Sequence, residues 1–382
     1  TLRQNFGPEI FLKEGIKRSI SCPSCYLPCK EIYRYSTEKT GEKEKCITFA
    51  SSFIGRVTAF GARCDVGTIS RALECHELCS RLGLDTYSVS AAIDYVFKLN
   101  EEGLLEGQDI GDLDLSRGYA ATMALIEQVA FRKGFGAKLA DGFKSLGGAL
   151  GTEFESQIKG TDYLFDARNY RLGTYEFEQV VNPRGGHQHA GGSPTYGSRG
   201  ISLEQLKKFC RSMSLSDSEM KRIFNSDEGF NVARLTKHCE DYYTAYSLLG
   251  VCSRKSIKAF YNLDTLSRLY ASATGFDISP NELKLASERV WNLLKMLNVA
   301  EGFDRKKDRF PASWFEPMKD GDEKLFFMDY YGKKQLTMDD LKDLLNDYYE
   351  EHNWSLSHGV PTLSTAKKLD LEEEWHDLAL ND

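Results

Sequence analysis

The feature that most constrains this chain is a run of three cysteines near its start, Cys22-Pro23-Ser24-Cys25-Tyr26-Leu27-Pro28-Cys29. The C-x2-C-x3-C spacing offers three soft thiolate donors to one centre, and two prolines stiffen the turn between them. Thiolates so spaced suit three corners of an iron–sulfur cube, with a fourth ligand drawn from elsewhere. Zinc is the main rival, and it too needs a distant fourth ligand. Proline-braced cysteines without a metal are the plainest alternative.

Composition narrows the class. The chain has 382 residues, 41% hydrophobic and 27% charged, as in a soluble globular protein of two or three domains. Its formal net charge of −7 disfavours a nucleic-acid partner. No apolar run reaches the length of a membrane span. No signal peptide is visible, and the ten cysteines do not form a secreted disulfide pattern. A reducing cytoplasm fits them better. The chain starts Thr1-Leu2-Arg3 without Met, which reads as a processed product or a fragment.

Helical signals dominate the organisation. Residues 33–37 read as a short strand and 38–45 as a charged turn. In residues 68–82, Ile69, Leu73, His76, Leu78 and Leu82 recur at roughly helical spacing, and Gly83 ends the segment as a cap. Further helices are expected over 88–102, 117–132, 138–146, 203–213, 217–224, 232–249, 264–274, 280–297 and 338–352. Residues 185–200 are rich in Gly and His and show no core face, as in a connector or a ligand-binding loop. The expected fold is mainly α, divided into domains 1–155 and 156–382.

Cys252 is a candidate fourth ligand. It follows Ser247-Leu248-Leu249-Gly250-Val251, and Gly250 permits a sharp turn that exposes its sulfur. Other cysteines compete. Cys75 and Cys79 share a helical face, though buried free cysteines are common core residues. Cys46, Cys64, Cys210 and Cys239 have no motif context. The local sequence alone leaves this choice open.

Along nearly its whole length the chain resembles the aldehyde ferredoxin oxidoreductases, tungsten enzymes with a bis-pterin cofactor beside a [4Fe–4S] cluster. The family's C-x2-C-x3-C motif and late fourth cysteine match Cys22, Cys25, Cys29 and Cys252. Ser80-Arg81-Leu82-Gly83-Leu84-Asp85 resembles the family's first pterin turn, D-x-x-G-L-D, and residues 247–252 resemble the second, D-x-x-G-L-C, followed by Ser253. Residues 134–142, 297–306 and 347–354 also resemble family segments and read as scaffold. The resemblance implies two helical domains without the family's β-rich N-terminal domain, which a separate subunit or an upstream segment would supply to complete the pterin site. It further implies tungsten or molybdenum on a bis-pterin, Mg2+ bridging the pterin phosphates, a ferredoxin or iron–sulfur electron-transfer partner, and an oligomer.

Departures from the family matter as much. Both turns begin with Asp in the family, whose carboxylate can accept from the pterin amino groups; here they begin with Ser80 and Ser247, and a neutral hydroxyl accepts more weakly. Residues 47–63 contain no Asp or Glu, where the family often places carboxylates. Ser70 stands where some members carry a metal-ligating Glu. The loop over 184–199 offers other polar chemistry through Arg184, His187, His189 and Arg199. Histidine titrates near neutrality and can give or take a proton, so His187 is the first catalytic candidate, with Arg184 and His189 beside it.

Three functions are therefore compared. One is oxidation of an aldehyde to a carboxylic acid, with electrons passed to ferredoxin. The second is a dearomatising reductase of the benzoyl-CoA type, which the loss of carboxylates favours. The third is a cluster-only electron-transfer or scaffold subunit, supported by the two Asp-to-Ser changes.

Overall fold

The computed structural model describes residues 5–6, 9, 16–36, 45–50, 58–142, 147–148, 157–163, 165–183, 200–225, 229–252, 261–320 and 322–380. The expected loop over 185–200 lies outside them, Gly200 excepted. The fold is mainly α and divides into two compact units, Thr1–Phe154 and Glu155–Asp382.

The first unit opens with an antiparallel sheet of β1 (Ile16–Ile20), β2 (Lys30–Ser36) and β3 (Lys45–Ala50), in that order. Tyr33 pairs with Ile16 on one side and Thr48 on the other. The sequence reading found only part of β2. The outer strands, IKRSI and KCITFA, are short, and their pairing with β2 is what makes them strands. The expected charged turn over 38–45 meets a strand at Lys45. Residues 58–62 then form a single π-helical turn.

Three helices build the core of this unit: α1 (Ile69–Arg81), α2 (Thr86–Glu101) and α3 (Tyr119–Phe131). Thr68 caps α1 by accepting from the Arg71 amide. Ile93, Val96 and Phe97 of α2 and Leu125 and Ile126 of α3 are fully buried. Of the helix expected over 138–146, Lys138 and Leu139 end the single turn α4 (Gly136–Leu139), residues 140–142 are not helical, and 143–146 lie outside the described residues.

The second unit begins with the two-residue strands β4 (Gln157–Ile158) and β5 (Thr161–Asp162) and the turn α5 (Ala167–Tyr170). Helix α6 (Thr174–Val181) escaped the sequence reading because all eight of its residues are buried, so it has no polar face to mark a period. Glu176 and Gln179 are tolerated there because they bond the Gly173 amide and the Phe165 backbone. Then come α7 (Leu203–Ser212), α8 (Asp217–Ile223), α9 (Val232–Leu248), α10 (Leu263–Thr274) and α11 (Pro280–Ala300). Strands β6 (Met318–Asp320) and β7 (Glu323–Leu325) precede α12 (Met338–His352), α13 (Leu363–Lys368) and α14 (Glu372–Asp377). Capping boxes start α7, α8, α11 and α12, with Ser or Thr before each helix and Gln, Glu or Asp three residues on.

Helix α9 is the axis of this unit and packs against α6, α11 and α12. It carries an unusual load of buried charge. Lys237 sits between Asp241 at 2.6 Å and Glu288 at 2.8 Å. His238 lies 2.8 Å from Glu351, which Arg222 and Arg234 also hold. Nearby, Asp308 is clamped by Lys159 at 2.6 Å and Lys295 at 3.0 Å, with the Tyr349 hydroxyl donating to it.

Candidate cofactor site

The cysteine motif occupies the connection between β1 and β2, residues 21–29. Sheet pairing fixes the two ends of this loop, so its three thiols are presented by a hairpin. The Cys25 amide donates to the Cys22 carbonyl at 3.1 Å, closing a turn with Pro23 second and Ser24 third. Ser24 has φ of 59°, the left-handed value that such a third position takes. Cys22 is exposed, while Cys25 and Cys29 are half-buried.

The two candidate pterin turns share one backbone design. At the end of α1, the Leu84 amide donates to the Cys79 carbonyl at 2.9 Å and the Gly83 amide to the Ser80 carbonyl at 3.3 Å. At the end of α9, Val251 donates to Tyr246 at 2.8 Å and Gly250 to Ser247 at 3.1 Å. Each is a Schellman-type close with a left-handed glycine, φ 70° at Gly83 and 66° at Gly250. An added Cβ would meet nothing within 4 Å at either glycine, so conformation and not crowding selects glycine there. Both glycines are exposed, as are Asp85 and Cys252.

The side chains at these turns are partly engaged. The Ser80 hydroxyl donates back to the His76 carbonyl at 3.0 Å, and that of Ser247 to Tyr243 at 3.5 Å. Asp85 caps α2 by accepting from the Ser88 amide at 2.7 Å. Asp85 thus has a structural task whatever else it binds. Leu84 and Val251 are half-buried and pack on the cores of their own units. Ser253 lies outside the described residues.

Burial sorts the cysteines. Of the nine described, none forms a disulfide, and Cys64, Cys75, Cys79, Cys210 and Cys239 are buried. Burial pushes the Cys64, Cys79 and Cys210 thiols up to about 12, and raises Cys75 as well. Those four are neutral core thiols at neutral pH; the Cys75 sulfur contacts Met123 Sδ at 3.6 Å. The cysteines left accessible are Cys22, Cys25, Cys29 and Cys252. Among the described residues no three His, Cys, Asp or Glu side chains converge closely enough to hold a single metal ion.

Arg184, His187, His189 and Arg199 lie outside the described residues. The described residues on either side of 184–199 are held by hydrogen bonds. Lys159 donates to the Asn182 carbonyl at 2.9 Å and Asn298 to that of Pro183 at 2.7 Å. On the far side, the Ile201 amide donates to the Tyr330 hydroxyl at 3.3 Å, and the Tyr331 hydroxyl to the Ile201 carbonyl at 3.2 Å.

One polar cluster was not anticipated from the sequence. Glu240 of α9 is fully enclosed, and burial raises its carboxyl far above the usual range. The Tyr348 hydroxyl donates to it at 2.8 Å, and His352 Nε2 lies 3.3 Å away. Burial also holds His352 neutral. The only sequence signal was the density of ionisable residues in α9, which resembles an ordinary solvated face.

Comparison with known proteins decides the family. A family model described as "Aldehyde ferredoxin oxidoreductase, domains 2 & 3" matches residues 4–371. The chain belongs to the aldehyde ferredoxin oxidoreductase family. Tungsten-containing aldehyde ferredoxin oxidoreductase of Pyrococcus horikoshii is 25% identical over 376 residues, 96% of this chain and 54% of the relative. That of Thermococcus kodakarensis is 23% identical, over 93% of this chain and 53% of the relative. The chain therefore spans about half the length of the curated relatives it matches. Among solved structures, the active-site complex BamBC of benzoyl coenzyme A reductase with 1,5-dienoyl-CoA gives a TM-score of 0.75 at 20% identity, covering 98% of this chain and 56% of that one. The aldehyde ferredoxin oxidoreductase fold thus extends across both helical units. Among the described residues no helix is long and apolar enough to cross a membrane.

Proposed function

We propose that this chain is the helical, cluster-bearing part of a tungsten-dependent oxidoreductase that converts an aldehyde to a carboxylic acid. In this reading Cys22, Cys25, Cys29 and Cys252 ligate one [4Fe–4S] cluster. The turns at residues 80–85 and 247–252, with Ser253, would hold the two pterins, and Mg2+ would neutralise charge on their phosphates. When bound, the metal–pterin centre supplies two-electron chemistry, with electrons passing singly through the cluster to ferredoxin or an iron–sulfur subunit.

The observation that carries the reading is the sorting of the cysteines. A cluster needs thiolates, and a neutral thiol locked in a core cannot serve without dismantling that core. Among the cysteines whose exposure is described, the four accessible ones are the four that match the family pattern. The turns fit pterins in a complementary way. The last carbonyls of α1 and α9 lie at the negative ends of their helices, where amino donors are favoured. Gly83 and Gly250 present bare backbone to an approaching ring. Cys252 ends the second turn, which keeps cluster ligation and pterin contact within one short segment.

On the substrate side, His187 gives or takes the proton, with Arg184 and His189 as the further catalytic candidates. A β-rich domain or subunit completes the pterin cradle. A second reading, reduction of an aryl-CoA ring, is favoured by the absence of carboxylates over residues 47–63. A pocket without carboxylates suits an aromatic substrate better than a charged one.

Metal analysis of the native particle, purified without oxygen, tests the proposal. Tungsten with about four iron per chain supports it. Iron without tungsten or molybdenum would make this an electron-transfer subunit instead. Assays with an aldehyde and a viologen acceptor, and with an aryl-CoA and a strong reductant, separate the two enzymatic readings.

A further inference from the structure

A concave site lies in the C-terminal unit, and the cofactor reading assigns none of its lining residues as a ligand. Phe230, just before α9, meets Tyr330 and Tyr331 from the turn ahead of α12. The three rings stand nearly at right angles: Phe230 to Tyr330 at 5.5 Å and 66°, Phe230 to Tyr331 at 6.0 Å and 87°, and Tyr330 to Tyr331 at 5.0 Å and 77°. Together they line one side of a cavity of about 260 Å³. Mutually perpendicular rings cannot all stack on one flat ligand. They form an aromatic corner, and aromatic π faces attract a compact positive charge.

The same cavity is also lined by carboxylates. Asp340, Asp343 and Asp347 recur on one face of α12, and Asp329 joins them from the turn. One cation, Lys334, lines the same cavity. Three of the carboxylates are already held. Asp329 accepts from the Lys333 and Lys334 amides, Asp340 from the Lys334 ammonium at 2.6 Å, and Asp347 from Arg234 and Asn231. Asp343 is exposed and forms no ion pair among the described residues. Four carboxylates against the Lys334 ammonium and the Arg234 guanidinium on Asp347 leave the lining net negative, which repels anionic ligands.

We propose that this cavity binds a small organic cation of the alkylated-ammonium class, with the cation in the corner of Phe230, Tyr330 and Tyr331 and its charge facing Asp343. A bare metal ion is a poorer match, because the described side chains present no ligand set of three. The volume lies near the lower end for ligand pockets, so it suits a compact cation rather than a nucleotide-sized molecule.

Choline and its neutral isostere 3,3-dimethylbutan-1-ol test this on the intact protein, by saturation-transfer NMR with titration at low salt. Choline is expected to bind at least about ten-fold more tightly than the isostere. Asp343→Asn, at an exposed position, should weaken choline by roughly three-fold or more and leave the isostere unchanged. Phe230→Leu should weaken choline further, and circular dichroism would confirm that the variant is folded. Equal binding of the two probes, no binding of either, or choline binding untouched by both substitutions would overturn the assignment.

Discussion

The Val251 amide donates to the Tyr246 carbonyl at 2.8 Å, a bond that helps close the end of α9, and the next residue, Cys252, is exposed. Cys239, thirteen residues back on the same helix, is buried. A single helix thus carries one cysteine for packing and presents another just past its end.

That contrast predicts a division of labour. Cys252→Ala should lower the iron content and abolish or convert the electron paramagnetic resonance signal of the reduced protein, whereas Cys239→Ala should keep the signal and lose stability. An unchanged spectrum in the Cys252 variant would remove it from the ligand set.

The two helix-ending turns should respond alike to alanine. Left-handed backbone costs an ordinary residue about 1–2 kcal/mol, and neither site is crowded. Gly83→Ala and Gly250→Ala should each lower unfolding stability by about that amount in urea titrations. If both midpoints stay in place, the left-handed turns do not require glycine.

His187→Ala should reduce turnover by roughly two to four orders of magnitude if His187 handles the proton. The cluster signal should survive, since His187 is not assigned as a ligand. Full activity would return the loop to a connecting role.

Asp308 is the carboxylate between two buried ammonium groups, those of Lys159 and Lys295. Removing it strands both charges. Asp308→Ala should therefore cost roughly 3–5 kcal/mol in denaturant unfolding. A loss below 1 kcal/mol would mean that water or a neutral lysine relieves the site.

His238 gives a pH signature. Burial, with Lys237 and Lys284 adding to it, lowers its pKa from 6.5 to about 4. Between these values the unfolded chain takes a proton that the folded chain refuses. The His238 contribution to stability therefore falls as pH drops from 6.5 towards 4, by up to about 1.4 kcal/mol per pH unit. His238→Gln should remove that slope. The difference between wild-type and variant stability, measured at several pH values in this window, should narrow on acidification; a constant difference would show that His238 does not titrate this way.

The long helices were legible because their information is local. Apolar spacing and caps placed α12 at residues 338–352, as observed, and α1, α9 and α11 within about three residues at each end. The glycine turns at 83 and 250 were legible for the same reason. Local signals failed where pairing or enclosure comes from distant chain. Strands β1 and β3 owe their conformation to β2, and α6 is surrounded on every side.

The sequence by itself determined the family pattern, the cysteine spacing and the mainly helical class, since each rests on residues near one another along the chain. Only the tertiary structure decided which cysteines are enclosed and which are accessible. It also brought Lys159, Lys295 and Asp308 together, and set Phe230 against Tyr330 and Tyr331. Burial and charge pairing are properties of the space around a residue, and that space is filled in part by distant segments, as Tyr330 beside Phe230 and Asp308 beside Lys159 show.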